Sequence, residues 1–361
     1  MSEEKIREVL SRFRDPIIKK DFLSLSFVKS ISVNGKNLSL TLGTSDTDNP
    51  GLSELKQDIA DTLAAEFPAI DNVEIEFLTA ITEHNNKKKS LLMPGVKNTI
   101  AVASGKGGVG KSTATVNLAA ALTSLGMKVG IIDADIYGPS IPIMMNLKGK
   151  PSVTQQDGKN KLVPMENYGI EVMSIGFLME EGTAVVWRGP MASSALKQFI
   201  GDVVWGKLDF LLFDMPPGTG DIQLTLSQTL PLTGAVIVTT PQEISLADAR
   251  KGHIMFNKVN VPTLGIIENM SYYLKEDGAK DHIFGEGGGK KMSDQYNVAL
   301  LGEIPINTKI REYGDNGKPI VIADPGSAEA EAFISIAKKL VKEVNILNSN
   351  ESAVPSLEIE I

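Results

Sequence analysis

Hydrophobic and polar positions follow different rhythms along the chain, and each rhythm predicts a different element. Residues 3–13 carry a charged amphipathic pattern that predicts a short helix. After Asp15-Pro16, apolar residues alternate through 27–33 and again through 38–42, with Asn34-Gly35 between the two runs. Period two on both sides of an Asn-Gly pair predicts a hairpin. Ser, Thr, Asp, Asn, Pro and Gly fill 44–51, then helical spacing returns over 52–67 and a third strand is predicted over 73–77. Residues 1–80 therefore predict a small α+β domain. Residues 81–97 are polar and basic and end in Met93-Pro94-Gly95, so they predict a linker, with the three-lysine run as part of its solvated length.

From residue 98 the alternation gives way to short, nearly continuous apolar runs separated by helical stretches. The predicted strands are 100–103, 129–132, 208–213, 235–239, 263–267 and 299–304. Such runs are what a parallel sheet covered on both faces requires, so the second domain, 98–344, is predicted to be α/β. Residues 345–361 are polar and are expected to be a frayed tail.

Composition sharpens this picture in three ways. A 42% hydrophobic and 22% charged chain is ordinary globular usage, which excludes a disordered or fibrous class. The start, MSEEKIREVLSRFRD, has no signal-like apolar stretch, and no apolar run approaches the ~18 residues of a membrane span. A cytoplasmic location away from membranes is expected. The net charge of −8 argues against broad nucleic-acid binding. The chain contains no cysteine, which excludes disulfides, thiolate zinc sites, cysteine nucleophiles and thiolate-ligated iron–sulfur clusters built from this chain alone. His84, His253 and His282 lack ligand spacing and are read as solvated or structural.

Candidate chemistry concentrates after the first strand of the second domain. Ser104-Gly105-Lys106-Gly107-Gly108-Val109-Gly110-Lys111-Ser112-Thr113 matches G-x-x-x-x-G-K-[ST], with a predicted strand before it and a helix over 115–125 after it, ended by Gly126. Glycines allow consecutive backbone N–H groups to turn inward as an anion nest, and the helix N-terminus adds partial positive charge. Lys111 would place its ammonium near the β- and γ-phosphates, and the Ser112 hydroxyl can ligate Mg²⁺. Nucleotide binding is expected at Gly105, Lys106, Gly107, Gly108, Val109, Gly110, Lys111, Ser112 and Thr113.

Lys106 is an extra lysine within the loop; it is either a surface charge or a clamp on phosphate in its own subunit or across a dimer. The 129–132 strand runs into Asp133-Ala134-Asp135, and the 208–213 strand into Asp214 and the Pro-Gly-rich segment 215–221. Carboxylates at the C-terminal ends of strands beside the loop strand stand where ligands bind in open α/β sheets. Each aspartate alone could be a cap or turn residue. Together with the loop they form a hydrolytic set, with Asp214 in the magnesium-holding role and 215–221 as a segment sensing the γ-phosphate.

With those residues in view, the region 98–344 resembles the Mrp/ApbC family of P-loop ATPases, relatives of MinD, ParA and the nitrogenase iron protein. Residues 105–112 are similar to the family's deviant Walker A loop, with Lys106 as its signature lysine, and 133–140 (DADIYGPS) to its switch I. The match extends through 187–191 (WRGPM), 208–221 (LDFLLFDMPPGTGD), 268–272 (ENMSY), 284–289 (FGEGGG) and 302–305 (GEIP). The resemblance implies a homodimeric ATPase in which Lys106 contacts the partner's nucleotide and Asp135 orients the attacking water. It also puts Asp133 and Asp214 at magnesium-associated positions and Asn269 near the adenine. Residues 3–78 resemble a small domain found in iron–sulfur assembly factors, with Asp15-Pro16 at its Asp-Pro pair.

The family is implicated in carrying iron–sulfur clusters to apoproteins, usually through a Cys-x-x-Cys pair just after ENMSY. Residues 274–281 occupy that place here and hold no cysteine; Asn49-Pro50 stands where the small domain commonly has Cys-Pro. Carboxylates or His282 would be poor ligands for a soft sulfide cluster. The resemblance thus implies an ATPase in iron–sulfur assembly, working with target apoproteins or assembly partners. The alternative is a cluster-free, ATP-dependent dimeric switch that binds a protein or DNA. A metabolic kinase is disfavoured, since no second-substrate signature is found.

Overall fold

The computed structural model describes residues 2–156, 158–178 and 200–351. They form two compact units, one of residues 2–85 with 341–351 and one of 86–340.

The first unit is built from the helices Glu3–Leu10 and Leu52–Glu66 and the strands β1 (Val28–Asn34), β2 (Asn37–Thr44) and β3 (Asn72–Thr79). β1 and β2 are antiparallel about the Asn34-Gly35 turn, where Gly35 has φ +61°, and β3 joins β2 in parallel. Leu38, Leu40 and Leu42 all point inward from β2, as period two demands, against Ile6, Leu10, Phe22, Ile59 and Leu63. Beneath this core lies the fully buried Asp15. Its Oδ1 accepts the N–H groups of Ile17 and Ile18 (2.9 and 2.8 Å), and its Oδ2 accepts Thr44 Oγ1–H and Ser45 N–H (2.9 and 3.1 Å). Four donors replace the water a carboxylate loses on burial. Asp15→Ala would strand these donors and is expected to destabilise the unit by about 3 kcal/mol. Hydrogen exchange at 38–42 should then quicken about 100-fold; unchanged exchange would show the carboxylate to be dispensable.

The tail expected to fray from 345 is instead helical, in the helix Ala328–Glu351. Asn345 and Asn348, one turn apart, are buried: Asn345 Oδ1 accepts Thr82 N–H and Oγ1–H at 2.8 Å each, and its Nδ2 donates to Ala80 O at 2.8 Å. Asn348 Nδ2 donates to Thr82 O at 3.1 Å, and its Oδ1 lies 3.2 Å from His84 Nδ1. Polar composition suggested solvent, but these amides pair with the backbone of 80–82. Residues 352–361, the rest of the expected tail, lie outside the described residues. Within 81–97, a short helix forms over Lys87–Leu92, with Asn86 Oδ1 accepting Lys89 N–H at its N-terminus, and the following strand starts at Val96.

The second unit carries an eight-stranded sheet ordered β15 (Leu300–Glu303), β12 (Thr263–Glu268), β11 (Gly234–Thr239), β4 (Val96–Ala103), β10 (Leu208–Asp214), β5 (Val129–Asp133), β9 (Ile170–Ser174) and β8 (Met165–Asn167). Every neighbouring pair is parallel except β8 with β9. A hairpin of β6 (Val153–Gln156) and β7 (Lys159–Leu162) and a small one of β13 (Tyr273–Leu274) and β14 (Lys280–Asp281) stand apart. The central strands are buried throughout, from Ile100–Val102 in β4 to Phe210–Phe213 in β10, as a sheet covered on both faces requires. All six predicted strands are present; β8 and β9 were not foreseen. Glu171 interrupts the apolar run of β9 and takes the Gly206 N–H at 3.1 Å.

Candidate nucleotide site

The site follows from where parallel strands end. β4, β10 and β5 lie side by side in a register that sets Asp214 beside both Val102 and Asp133, so the phosphate loop and two aspartates emerge at one sheet edge. After Ala103 the chain turns through 104–110 into the helix Lys111–Ser124. Gly110 adopts φ +81°, a left-handed conformation that favours glycine, and a Cβ there would lie 2.2 Å from Asn269 Nδ2. At Gly105 a Cβ would meet the Asp248 carbonyl carbon at 2.2 Å, so this glycine permits the loop to lie against the helix Glu243–Lys258.

Lys111 opens the loop helix with its side chain only 6% exposed; its Nζ lies 2.8 Å from Asp214 Oδ2 and 3.8 Å from Asp135 Oδ2. Ser112 Oγ donates to Asp214 Oδ2 at 2.6 Å and Thr115 Oγ1 to Asp214 Oδ1 at 2.7 Å. Thr115 is a site residue that the motif did not reveal. Its signal was its position three residues beyond Ser112, on the same helix face.

Asp133 is fully buried. Its Oδ2 accepts Ser174 Oγ–H (3.0 Å) and Ile141 N–H (3.3 Å), and its Oδ1 accepts Asp135 N–H (3.2 Å). Burial, reinforced by the charge of Asp214, pushes its carboxyl up to about 8, against the pull of Ser174 and Lys111. Burial also raises Asp135, opposed chiefly by the Lys111 ammonium. Three carboxyl groups thus crowd one ammonium.

A cavity of about 660 Å³ opens onto this cluster, lined by Gly107, Gly108, Gly110, Lys111, Ser112 and Thr113 of the loop and by Asp135, Asn269 and Phe284. That volume is within the range of sites for nucleotide-sized ligands. Asn269 Nδ2 donates to Val109 O at 2.8 Å, so the residue braces the loop as well as facing the cavity. The half-buried Lys106 is not in the cavity lining, and its side chain makes no ion pair among the described residues. Glu268 joins two of the family-like segments, accepting Ser271 Oγ–H at 2.8 Å and the Gly289 N–H. Residues 187–191 lie outside the described residues.

Residues 274–281 form the small hairpin, closed by a 3.2 Å Lys275–Asp281 ion pair, with Lys280 Nζ 3.9 Å from the centre of the Tyr272 ring. Among the described residues no three His, Cys, Asp or Glu side chains gather as a ready metal cage, and no helix is long and apolar enough to cross a membrane. The three histidines all have structural contacts: His84 with Asn348, His253 with Thr263 and Asn257, and His282 with Ser271 O.

The model of the ParA group described as NUBPL iron-transfer P-loop NTPase matches residues 95–341. The chain belongs to this family. A second model, described as iron-sulfur cluster assembly protein, matches residues 3–77. The "Iron-sulfur cluster carrier protein" of Haemophilus influenzae is 45% identical over 345 residues, spanning 95% of this chain and 92% of that protein. The "Iron-sulfur cluster transfer protein NUBPL" of Mus musculus is 51% identical over 251 residues, 69% of this chain and 78% of its own. Among solved structures, a nucleotide-binding protein from Archaeoglobus fulgidus in complex with ADP aligns at TM-score 0.58 and 38% identity, covering 69% of this chain and 98% of that one. Membership of the iron-transfer P-loop NTPases agrees with the parallel sheet and loop described above.

Proposed function

We propose that this chain binds ATP and Mg²⁺ in the loop cavity, hydrolyses ATP as a homodimer, and uses that cycle to deliver iron–sulfur clusters to apoproteins, with a cysteine-bearing partner supplying the thiolates. The observation that carries the ATPase part is the buried Lys111 ammonium at the head of the loop, held by Asp214 and close to Asp135. Cluster delivery rests on the relatives named as cluster carriers. The partner's thiolates are required because this chain has none.

The residues suit a hard cation. Ser112 Oγ and the Asp214 carboxylate are oxygen donors, and the excess of carboxylate over ammonium calls for added positive charge. Asp133, its oxygens already engaged by protein donors, would support the site from behind. When bound, magnesium neutralises charge across the β- and γ-phosphates. The loop N–H groups bind those phosphates, and Lys111 exchanges its carboxylate partner for phosphate oxygens. Asp135 accepts a hydrogen bond from the attacking water and so orients it. Lys106 reaches across to the nucleotide of the second copy. Asn269, whose Nδ2 is held by Val109 O, keeps Oδ1 for the adenine amino group.

Asp135→Ala is expected to slow phosphate release about 100-fold while ATP still binds, since it removes the group that positions water and leaves the phosphate contacts intact. Wild-type turnover in that variant would remove Asp135 from the reaction. A cluster-free switch is the second reading, favoured by the hairpin at 274–281 where the family usually has its cysteine pair.

A further inference from the structure

Gln223 lies in the first turn of the helix Asp221–Thr229, and its side chain is unusual in this protein. The residue is 2% exposed, yet neither its Nε2 nor its Oε1 has a hydrogen-bond partner among the described residues. The helix around it is ordinary: Ser227 Oγ donates to Gln223 O at 2.8 Å, and Leu224 N–H to Gly220 O at 3.0 Å. A buried amide with both ends unpaired is destabilising, and methionine would fill the same space without that penalty. A residue kept against that penalty points to a second arrangement in which the amide is paired.

The surroundings offer a partner. Gln223 lines a cavity of about 440 Å³ together with Asp135, Tyr137, Pro217 and Asp221. Asp135 and Pro217 also line the nucleotide cavity, so the two spaces meet at Asp135. Asp221 is two positions away on the same helix and does not share a face with Gln223. The segment leading into this helix can transmit a change at the loop. Gly218 N–H donates to Ser104 O at 2.9 Å, and Gly218, at φ +99°, and Gly220 flank Thr219 just before the helix. The loop and the segment that carries Gln223 are thus physically linked.

We propose that Gln223 is the positioning residue for Asp135: when ATP binds, segment 216–221 closes and Gln223 Nε2 donates a hydrogen bond to the Asp135 carboxylate, fixing it toward the attacking water. The inference rests on the ATPase reading above. Gln223 touches neither nucleotide nor water; it sets the orientation of the group that does.

Phosphate release, ATP affinity and thermal unfolding of the full chain, measured together, test it. Gln223→Met should lower kcat at least 10-fold, leave KM for ATP within twofold, and raise the melting temperature without nucleotide by about 2–4 °C. Gln223→Glu, which keeps the length and loses the donor, should show the same loss of kcat. In an Asp135→Ala background, Gln223→Met should change the residual rate less than twofold, because the two residues act as one unit. Wild-type kcat in Gln223→Met, or losses that multiply in the double variant, would overturn the proposal. A wild-type chain that binds ATP and leaves it intact would overturn the ATPase reading and this inference with it. Hydrolysis by wild type with no effect at Gln223 would overturn the inference alone.

Discussion

Lys111→Ala is expected to abolish ATP turnover and, at the same time, to loosen the second unit before any nucleotide is added. The two effects have one origin. The ammonium is 2.8 Å from the fully buried Asp214 carboxylate and 3.8 Å from Asp135. Removing one member of a buried pair leaves the other charge without compensation, an effect of about 3–5 kcal/mol. With nucleotide, the same truncation deletes the counter-charge to the developing phosphate charge, worth about 10²–10³ in rate for a single well-placed donor. Thermal unfolding with and without Mg-ATP separates the effects: the wild type should gain stability from the ligand, and the variant should start lower and gain little. Lys111→Met, which keeps the length of the side chain, should behave as the alanine variant does. Unchanged phosphate release by either variant would remove the loop from the reaction.

What could be read beforehand was set by whether the signal was local. The loop was legible because a strand, a run of glycines and a Lys-Ser pair lie within about a dozen residues, and each position has its own physical demand. The six parallel strands were legible because burial on both faces makes them apolar throughout. Asp133 and Asp214 were recognisable as strand-end carboxylates, but their adjacency depends on β10 lying between β4 and β5, a long-range pairing that periodicity does not encode. The same limit applies to the C-terminal helix. Asn345 and Asn348 look like solvent-facing polar residues until the backbone of 80–82, some 260 positions away, is placed beside them. Ser174 and Gln223 matter only through the groups around them, so composition and spacing could not single them out, whereas Thr115 had the signal of its place three residues beyond Ser112. β9 was concealed by Glu171, a charge inside a buried strand whose partner, the Gly206 N–H, is 35 residues distant.

Anaerobic incubation with ferrous iron and sulfide, followed by desalting, is expected to leave the wild-type chain at background iron. Cluster iron needs soft sulfur ligands, and the chain offers none. Several hard groups in and beside the hairpin are also engaged: Asp281 pairs with Lys275 at 3.2 Å, Asp277 Oδ1 accepts Ala279 N–H at 2.9 Å, and His282 Nδ1 lies 3.2 Å from Ser271 O. The hairpin nevertheless has a geometry that thiols could use. Gly278 N–H donates to Lys275 O at 2.9 Å, closing one exposed turn with the spacing of a Cys-x-x-Cys pair. Lys275→Cys/Gly278→Cys would break the Lys275–Asp281 pair and place an L-residue at φ +82°, a modest strain at an exposed turn. Two copies of that variant would offer four thiolates, enough for about four irons per dimer if the hairpins face one another. Retention of iron by the variant and not by the wild type would tie the missing cargo site to two side chains and leave a partner's thiolates as the route by which the wild-type chain handles clusters. Stoichiometric iron on the wild type would overturn the need for such a partner. A variant that hydrolyses ATP and still holds no iron would shift the balance to the cluster-free switch, since thiolates would then be present and the dimer would not bring them together.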